Sequence, residues 1–336
     1  MEFLKNIFQK PDVKISNKPF YVLSLSGGGV LGLFTARIIE HIENEISAPI
    51  ASKFDLLAGT SVGGLLALAL SREIPASDVV KYFQEYGHYI FMPRGGKKRL
   101  GLSKVSYLTT GMHKAKFDPH NLKQVVEKIL GQDTLLGEAL HPTLVTAYDL
   151  STGSLRVFST PVSALHSVSD LEVPMVDIAM AASAIPALFP IHQIENHRFV
   201  DGAVYANSPD LVAFREAVFN MSVPVESLNI CSVGTMTGRF FLDDKVKNDI
   251  GILAWGTESR LPTLMVAAQQ QFTVGLMRDM IGDNYIRIDS MMPISKDRKI
   301  DSSSVNEDDY KFILDCADRN WNAIKDEKFI RKLINS

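Results

Sequence analysis

The chain has 336 residues, 46% of them hydrophobic and 22% charged, with a net charge of −3 at pH 7. That composition buries a sizeable core in one large domain or two ordinary ones, and it lacks the basic excess by which proteins hold DNA or RNA. No run reaches the ~18 uncharged apolar residues of a membrane span, and the two cysteines, Cys231 and Cys316, flank no metal-type spacing and read as reduced core thiols.

Residues 1–20 read as a leader. Its start, MEFLKNIFQKPD, lacks the apolar region of a secretory signal. Phe3, Leu4, Ile7 and Phe8 stand near helical spacing, as in an interfacial helix or a loosely packed terminus. From 21 to 336 there is no repeat, low-complexity tract or linker, which predicts a single domain with its motifs in 21–210 and a C-terminal part in 211–336.

Tyr21–Leu25 is a β-type run closed by Ser26-Gly27-Gly28-Gly29, and Leu31, Phe34, Ile38, Ile42 and Ile46 then recur at helical spacing. Phe54–Ala58 is a second apolar run, ending in Gly59-Thr60-Ser61-Val62-Gly63, with a buried helix over Gly64–Leu70. Two strand–turn–helix units in sequence predict an α/β fold with a mostly parallel central sheet and helices on both faces. A helix over 76–91 takes Ser77 or Asp78 as its N-cap. The stretch 93-PRGGKKRLGLSK-104 carries Arg94, Lys97, Lys98, Arg99 and Lys104, as a solvated loop or a lid that meets anionic head groups or a nucleotide's phosphates.

A helix over 119–130 follows, then strands at Thr143–Tyr148 and Ser154–Ser159 around a turn, and an Ala-rich helix over 174–185. Phe199-Val200-Asp201 runs into Gly202-Ala203 as a short strand and turn. A strand over Leu228–Val233, a helix over 257–281, a strand at 284–288 and helices over 305–317 and 319–333 complete the chain. Met265, Met277, Met280, Met291 and Met292 read as core, or as a surface that can adapt to acyl chains, and the acidic run 243–249 lacks the spacing of a calcium loop, so no metal or cofactor is expected.

Gly59-Thr60-Ser61-Val62-Gly63 at the end of a buried strand has the form of a nucleophile elbow. The tight turn strains the serine backbone and leaves no room for side chains at 59 and 63. The following helix points its positive end at the site. A nucleophilic Ser61 needs a base. The last of the eight histidines is His197, so the order Ser, Asp, His fails beyond Asp201, although Asp149 with His192 or His197 remains an option. Asp201, at a strand end before a glycine turn, is the other. Gly27, Gly28 and Gly29 offer backbone donors for an oxyanion. Gly27-x-Gly29-x-x-Gly32 equally matches a dinucleotide fingerprint, with Glu43 or Glu45 as its ribose-binding acid, and so leaves a nucleotide-binding non-hydrolase open.

Taken together, 26-SGGGVLGL-33, 59-GTSVG-63 and 201-DGA-203, supported by 143-TLVTAYDLSTG-153, 181-AASAIPALFP-190 and 206-ANSPD-210, resemble the patatin-like phospholipases from about Tyr21 to Pro209. The resemblance implies a three-layer patatin-like fold and hydrolysis of membrane phospholipid acyl esters. It makes Ser61 the nucleophile, Asp201 its base and Gly27–Gly29 the oxyanion hole, with Gly32, Gly59, Gly63 and Gly202 as motif glycines. Two departures stand out: Ser26 and Leu31 occupy places where the family often has Asp and Arg, which puts in question any extra positive charge near the oxyanion.

The stretch 24-SLSGGGVLGLFTARIIEHIE-43 also resembles bacterial patatin-like effectors switched on by cyclic dinucleotides in anti-phage signalling. That resemblance implies a cytoplasmic protein with a cyclic dinucleotide activator. The active form would meet the phospholipid surface of the inner membrane peripherally. Self-association into a homo-oligomer is left open.

Overall fold

The computed structural model describes residues 18–94, 114–160, 168–242, 246, 248–251, 254–255, 260–291, 300, 303 and 305–335. Most of the leader, the 95–104 part of the basic loop and Met292 lie outside the described residues.

Eight strands form one sheet: β1 (Phe20–Leu25), β2 (Leu56–Thr60), β3 (Thr143–Asp149), β4 (Ser154–Ser159), β5 (His192–Ile194), β6 (His197–Asp201), β7 (Leu228–Val233) and β8 (Tyr285–Ile288). Their order is β5-β6-β3-β2-β1-β7-β8, with β4 also paired to β3. β1 pairs in parallel with β2 and β7, β2 with β3, and β7 with β8. β4, β5 and β6 run antiparallel to their neighbours at one end. The sheet is therefore mostly parallel, as predicted. β5 was not anticipated, because three residues are too few to show an alternation.

The helices are α1 (Gly32–Ile46), α2 (Val62–Ser71), α3 (Ala76–Ile90), α4 (Pro119–Leu130), α5 (Met175–Ala182), α6 (Ala203–Ala206), α7 (Asp210–Arg215), α8 (Arg260–Ile281), α9 (Glu307–Ile324) and α10 (Lys328–Ile334). Alternate strand residues face opposite layers. Leu23, Leu25 and Leu57 pack with α1, α2 and α3, whereas Val22, Leu56 and Ala58 pack with Phe214 of α7 and Met277 of α8. Every residue of α2 is buried, so this apolar helix is enclosed on all sides. Cys231 and Cys316 are free and buried, as expected.

Several local expectations are corrected. Helix α3 begins at Ala76 behind Pro75, not behind Ser77 or Asp78; the Glu43 carboxylate of α1 caps it, accepting from the Ala76 amide at 2.8 Å. The 305–317 and 319–333 helices are in fact α9, unbroken to Ile324, and the shorter α10. Asp318, at the expected break, lies inside α9 and pairs with Arg37 of α1 at 2.7 Å. Among the described C-terminal methionines only Met277 is core; Met265, Met280 and Met291 are exposed. Trp321, which carried no sequence signal, is buried and stacks on His41 at 5.8 Å.

Candidate active site

Strand register brings the two motif residues together. β3 pairs with β4 along one edge. Along its other edge it pairs with β2 up to Thr60↔Thr146 and with β6 from Ala147↔Asp201. β2 and β6 thus abut end to end on that edge, and the residue after Thr60 meets Asp201. Thr60 locks the junction: its hydroxyl lies 2.7 Å from the Thr146 hydroxyl and donates to the Ala206 carbonyl at 2.6 Å.

Ser61 occupies that junction at φ 55°, a left-handed conformation costly for a residue with a Cβ, and it is 3% exposed. Its carbonyl accepts from the Gly64 and Leu65 amides and so starts α2, whose positive end lies at the serine. The flanking glycines are sterically required. A Cβ at Gly59 would lie 2.1 Å from the Gly63 carbonyl oxygen, and one at Gly63 would lie 2.2 Å from the Leu25 oxygen. Both obstacles are backbone. Gly59→Ala is therefore expected to cost about 3 kcal/mol or more of folding stability in a denaturant titration. A loss below about 0.5 kcal/mol would show that the turn is slack.

Asp201 is fully buried, and that burial pushes its carboxyl up to about 7. The Ala203 amide, donating to Oδ1 at 2.8 Å, and the neighbouring Ser61 hydroxyl offset only part of the rise. Asp201 Oδ2 is left buried without a hydrogen-bond partner. A serine hydroxyl beside a buried carboxyl that titrates near neutrality is an arrangement suited to proton transfer.

The glycine loop closes the site from β1. A Cβ at Gly27 would stand 3.1 Å from the Ser61 Cβ, so loop and serine are in near contact. One expectation is corrected here. The Gly27 amide donates to the Asn207 carbonyl at 2.9 Å and is not free for an oxyanion. No acceptor among the described residues takes the Gly28 or Gly29 amide. Gly27 is instead a fixed point: its carbonyl accepts from the Thr235 hydroxyl at 2.6 Å and from Asn207 Nδ2 at 3.2 Å. Gly29 needs its freedom, with φ 59°. Gly32 and Gly202 are packing positions, where a Cβ would meet Val62 at 2.6 Å and Thr146 at 2.2 Å.

The departure at Ser26 and Leu31 has a structural counterpart that sequence reasoning missed. Arg287, buried on β8, donates through Nη1 to the hydroxyls of Ser26 (2.8 Å), Ser208 (3.0 Å) and Ser232 (2.8 Å). Asp289 pairs with the same guanidinium at 2.7 Å, so the loop rests on a compensated ion pair. Asp210 lies alongside, accepting from Ser24, Ser232 and Tyr285. The signal was an arginine between Ile286 and Ile288 in a core strand, a place where an unpaired charge is costly.

The structure does not bring the alternative groups to Ser61. His197 Nδ1 bonds Asp149 Oδ2 at 2.7 Å, but His197 opens β6 four residues before Asp201, about 13 Å along the strand. His192 is paired with Asp177 at 3.0 Å. The acids needed for a ribose are also engaged. Glu43 caps Ala76 and Ile50, and Glu45 pairs with Arg331 at 3.3 Å. Among the described residues no cluster of histidine, cysteine or acid side chains could hold a metal ion.

The family model described as Patatin-like phospholipase matches residues 23–214. A Pseudomonas aeruginosa protein named cGAMP-activated phospholipase is 35% identical over 274 residues, which cover 80% of this chain and 78% of that protein. A Vibrio cholerae protein of the same name is 28% identical over 85% of this chain and 86% of its own. A third of that name, from Escherichia coli, is 29% identical over 88% of each.

Proposed function

Because the chain belongs to the patatin-like phospholipase family, we propose that it is a phospholipase A-type lipid acyl hydrolase that works through Ser61 and Asp201 and is switched on by a cyclic dinucleotide. The observation that carries the reading is the end-to-end meeting of β2 and β6, with strained Ser61 beside a buried, under-bonded Asp201. Asp201 Oδ2 takes the Ser61 proton as the hydroxyl attacks the ester carbonyl. The Gly28 and Gly29 amides and the positive end of α2 receive the developing oxyanion. The lysolipid leaves with the proton that Asp201 holds. A water then gives its proton to the same carboxylate as its oxygen bonds the acyl carbon; the carbon–Oγ bond breaks, the fatty acid leaves and Asp201 returns the proton to Ser61 Oγ. Burial supports this role, since a carboxyl near 7 is a far stronger base than an ordinary aspartate.

The activator is supported by the names of the three relatives. The substrate lies in a bilayer that the enzyme meets from outside; among the described residues no helix is long and apolar enough to cross one. The test is fatty-acid release from mixed phospholipid vesicles with and without cGAMP. Release that rises on adding cGAMP is expected. Intact phospholipid under both conditions would refute the proposal.

A further inference from the structure

A cavity of about 630 Å³ opens beside the glycine loop, well within the size range of small-molecule sites. Its charged lining is Arg239, Arg278, Arg287 and Asp289. Asp289 is already committed, to the Arg287 guanidinium and to the Met236 and Ser290 amides. Arg239 and Arg278 are exposed, and neither has an acidic partner among the described residues. Gln270 joins them from α8. It is 2% exposed, and its Nε2 is buried with no acceptor. Buried donors are nearly always satisfied, so a free amide on a cavity wall marks a place for an acceptor from outside. Phe240 and Phe241 add flat apolar surface to the same wall.

Two unpaired guanidiniums and an unsatisfied amide suit an anion with several oxygens, such as a phosphate. The volume and the aromatic wall suit a ligand much larger than an ion. We propose that this cavity binds the phosphodiester group of an organic ligand. The inference rests on the phospholipase reading for its two sources of that group: the head group of the lipid substrate and a free cyclic dinucleotide. The cavity is also wired to the site. Gln270 Oε1 accepts from Asn207 Nδ2 at 3.2 Å, and that Nδ2 donates to the Gly27 carbonyl. A ligand that takes Gln270 Nε2 fixes the amide whose other end holds Asn207 against the glycine loop.

The test is the double variant Arg239→Gln with Arg278→Gln, both at exposed positions that leave the core untouched. Two readouts separate the sources: calorimetric titration with cGAMP, and hydrolysis of phosphatidylglycerol against diacylglycerol in neutral detergent micelles at saturating cGAMP. If the activator sits here, cGAMP affinity falls about tenfold or more and the ratio of the two lipids stays put. If the head group sits here, phosphatidylglycerol hydrolysis falls about tenfold or more against diacylglycerol and cGAMP affinity stays put. Unchanged affinity together with an unchanged lipid ratio overturns the inference. The same titration on Ser61→Ala is independent of turnover. A wild type that binds cGAMP through these arginines but cleaves neither lipid would retain the cavity and reject the phospholipase reading.

Discussion

Replacing Ser61 with alanine is expected to lower fatty-acid release by ~10⁴-fold or more, as loss of a nucleophile does when base and oxyanion donors are left with nothing to act on. The substitution isolates the hydroxyl. Alanine keeps the Cβ that already fits against Gly27, and it accepts the same backbone at φ 55° with similar strain. The carbonyl that starts α2 is unaffected. The melting temperature should therefore stay close to that of the native protein while activity disappears. A loss of less than tenfold, with the fold intact, would mean that another group attacks the ester.

Asp201→Asn removes the base and should cost ~10²–10⁴ in rate. Its second signature is a change in pH dependence. The native carboxyl titrates at about 7 in the fold, against an ordinary aspartate value near 4 when unfolded. Native activity should rise with pH through about 7, as the carboxylate that accepts the serine proton forms. Stability should run the opposite way. Between about 4 and 7 the folded state holds a proton that the unfolded state has released, so raising the pH through that window weakens the fold. Asparagine carries no charge to bury. The variant should therefore gain on the native protein by ~2–4 kcal/mol at pH 8 and by little at pH 4. Greater stability with lost activity is the expected trade at a strained or desolvated catalytic group. Parallel pH–stability curves for the two proteins would place the Asp201 charge in contact with water.

The features legible in the sequence are those set by local sterics. Gly59 and Gly63 flank Ser61 because the turn has no room for a Cβ, and such a demand shows as a motif. The two strand–turn–helix units, β1 into α1 and β2 into the nearly all-apolar α2, likewise announce a buried, mostly parallel sheet. What was not legible depends on partners far away in the chain. The Gly27 amide was read as an oxyanion donor, but Asn207, 180 residues away, takes it. Arg287 reaches Ser26 across 261 positions, so the cation beneath the glycine loop left no trace near the loop's own sequence. The proximity of Ser61 and Asp201 rests on the register of β2 and β6 against a shared edge of β3, which no spacing encodes. The methionines of α8 erred the other way: an apolar side chain reads as core by default, yet Met265 and Met280 face outward.

Covalent capture of the serine tests the central claim most directly. The native protein, treated with an alkyl fluorophosphonate in the presence of cGAMP and mapped by peptide mass spectrometry, should carry one adduct, on Ser61, formed in step with the loss of fatty-acid release. Full inactivation with the adduct on a different residue, or an active protein left unlabelled at Ser61, would contradict it.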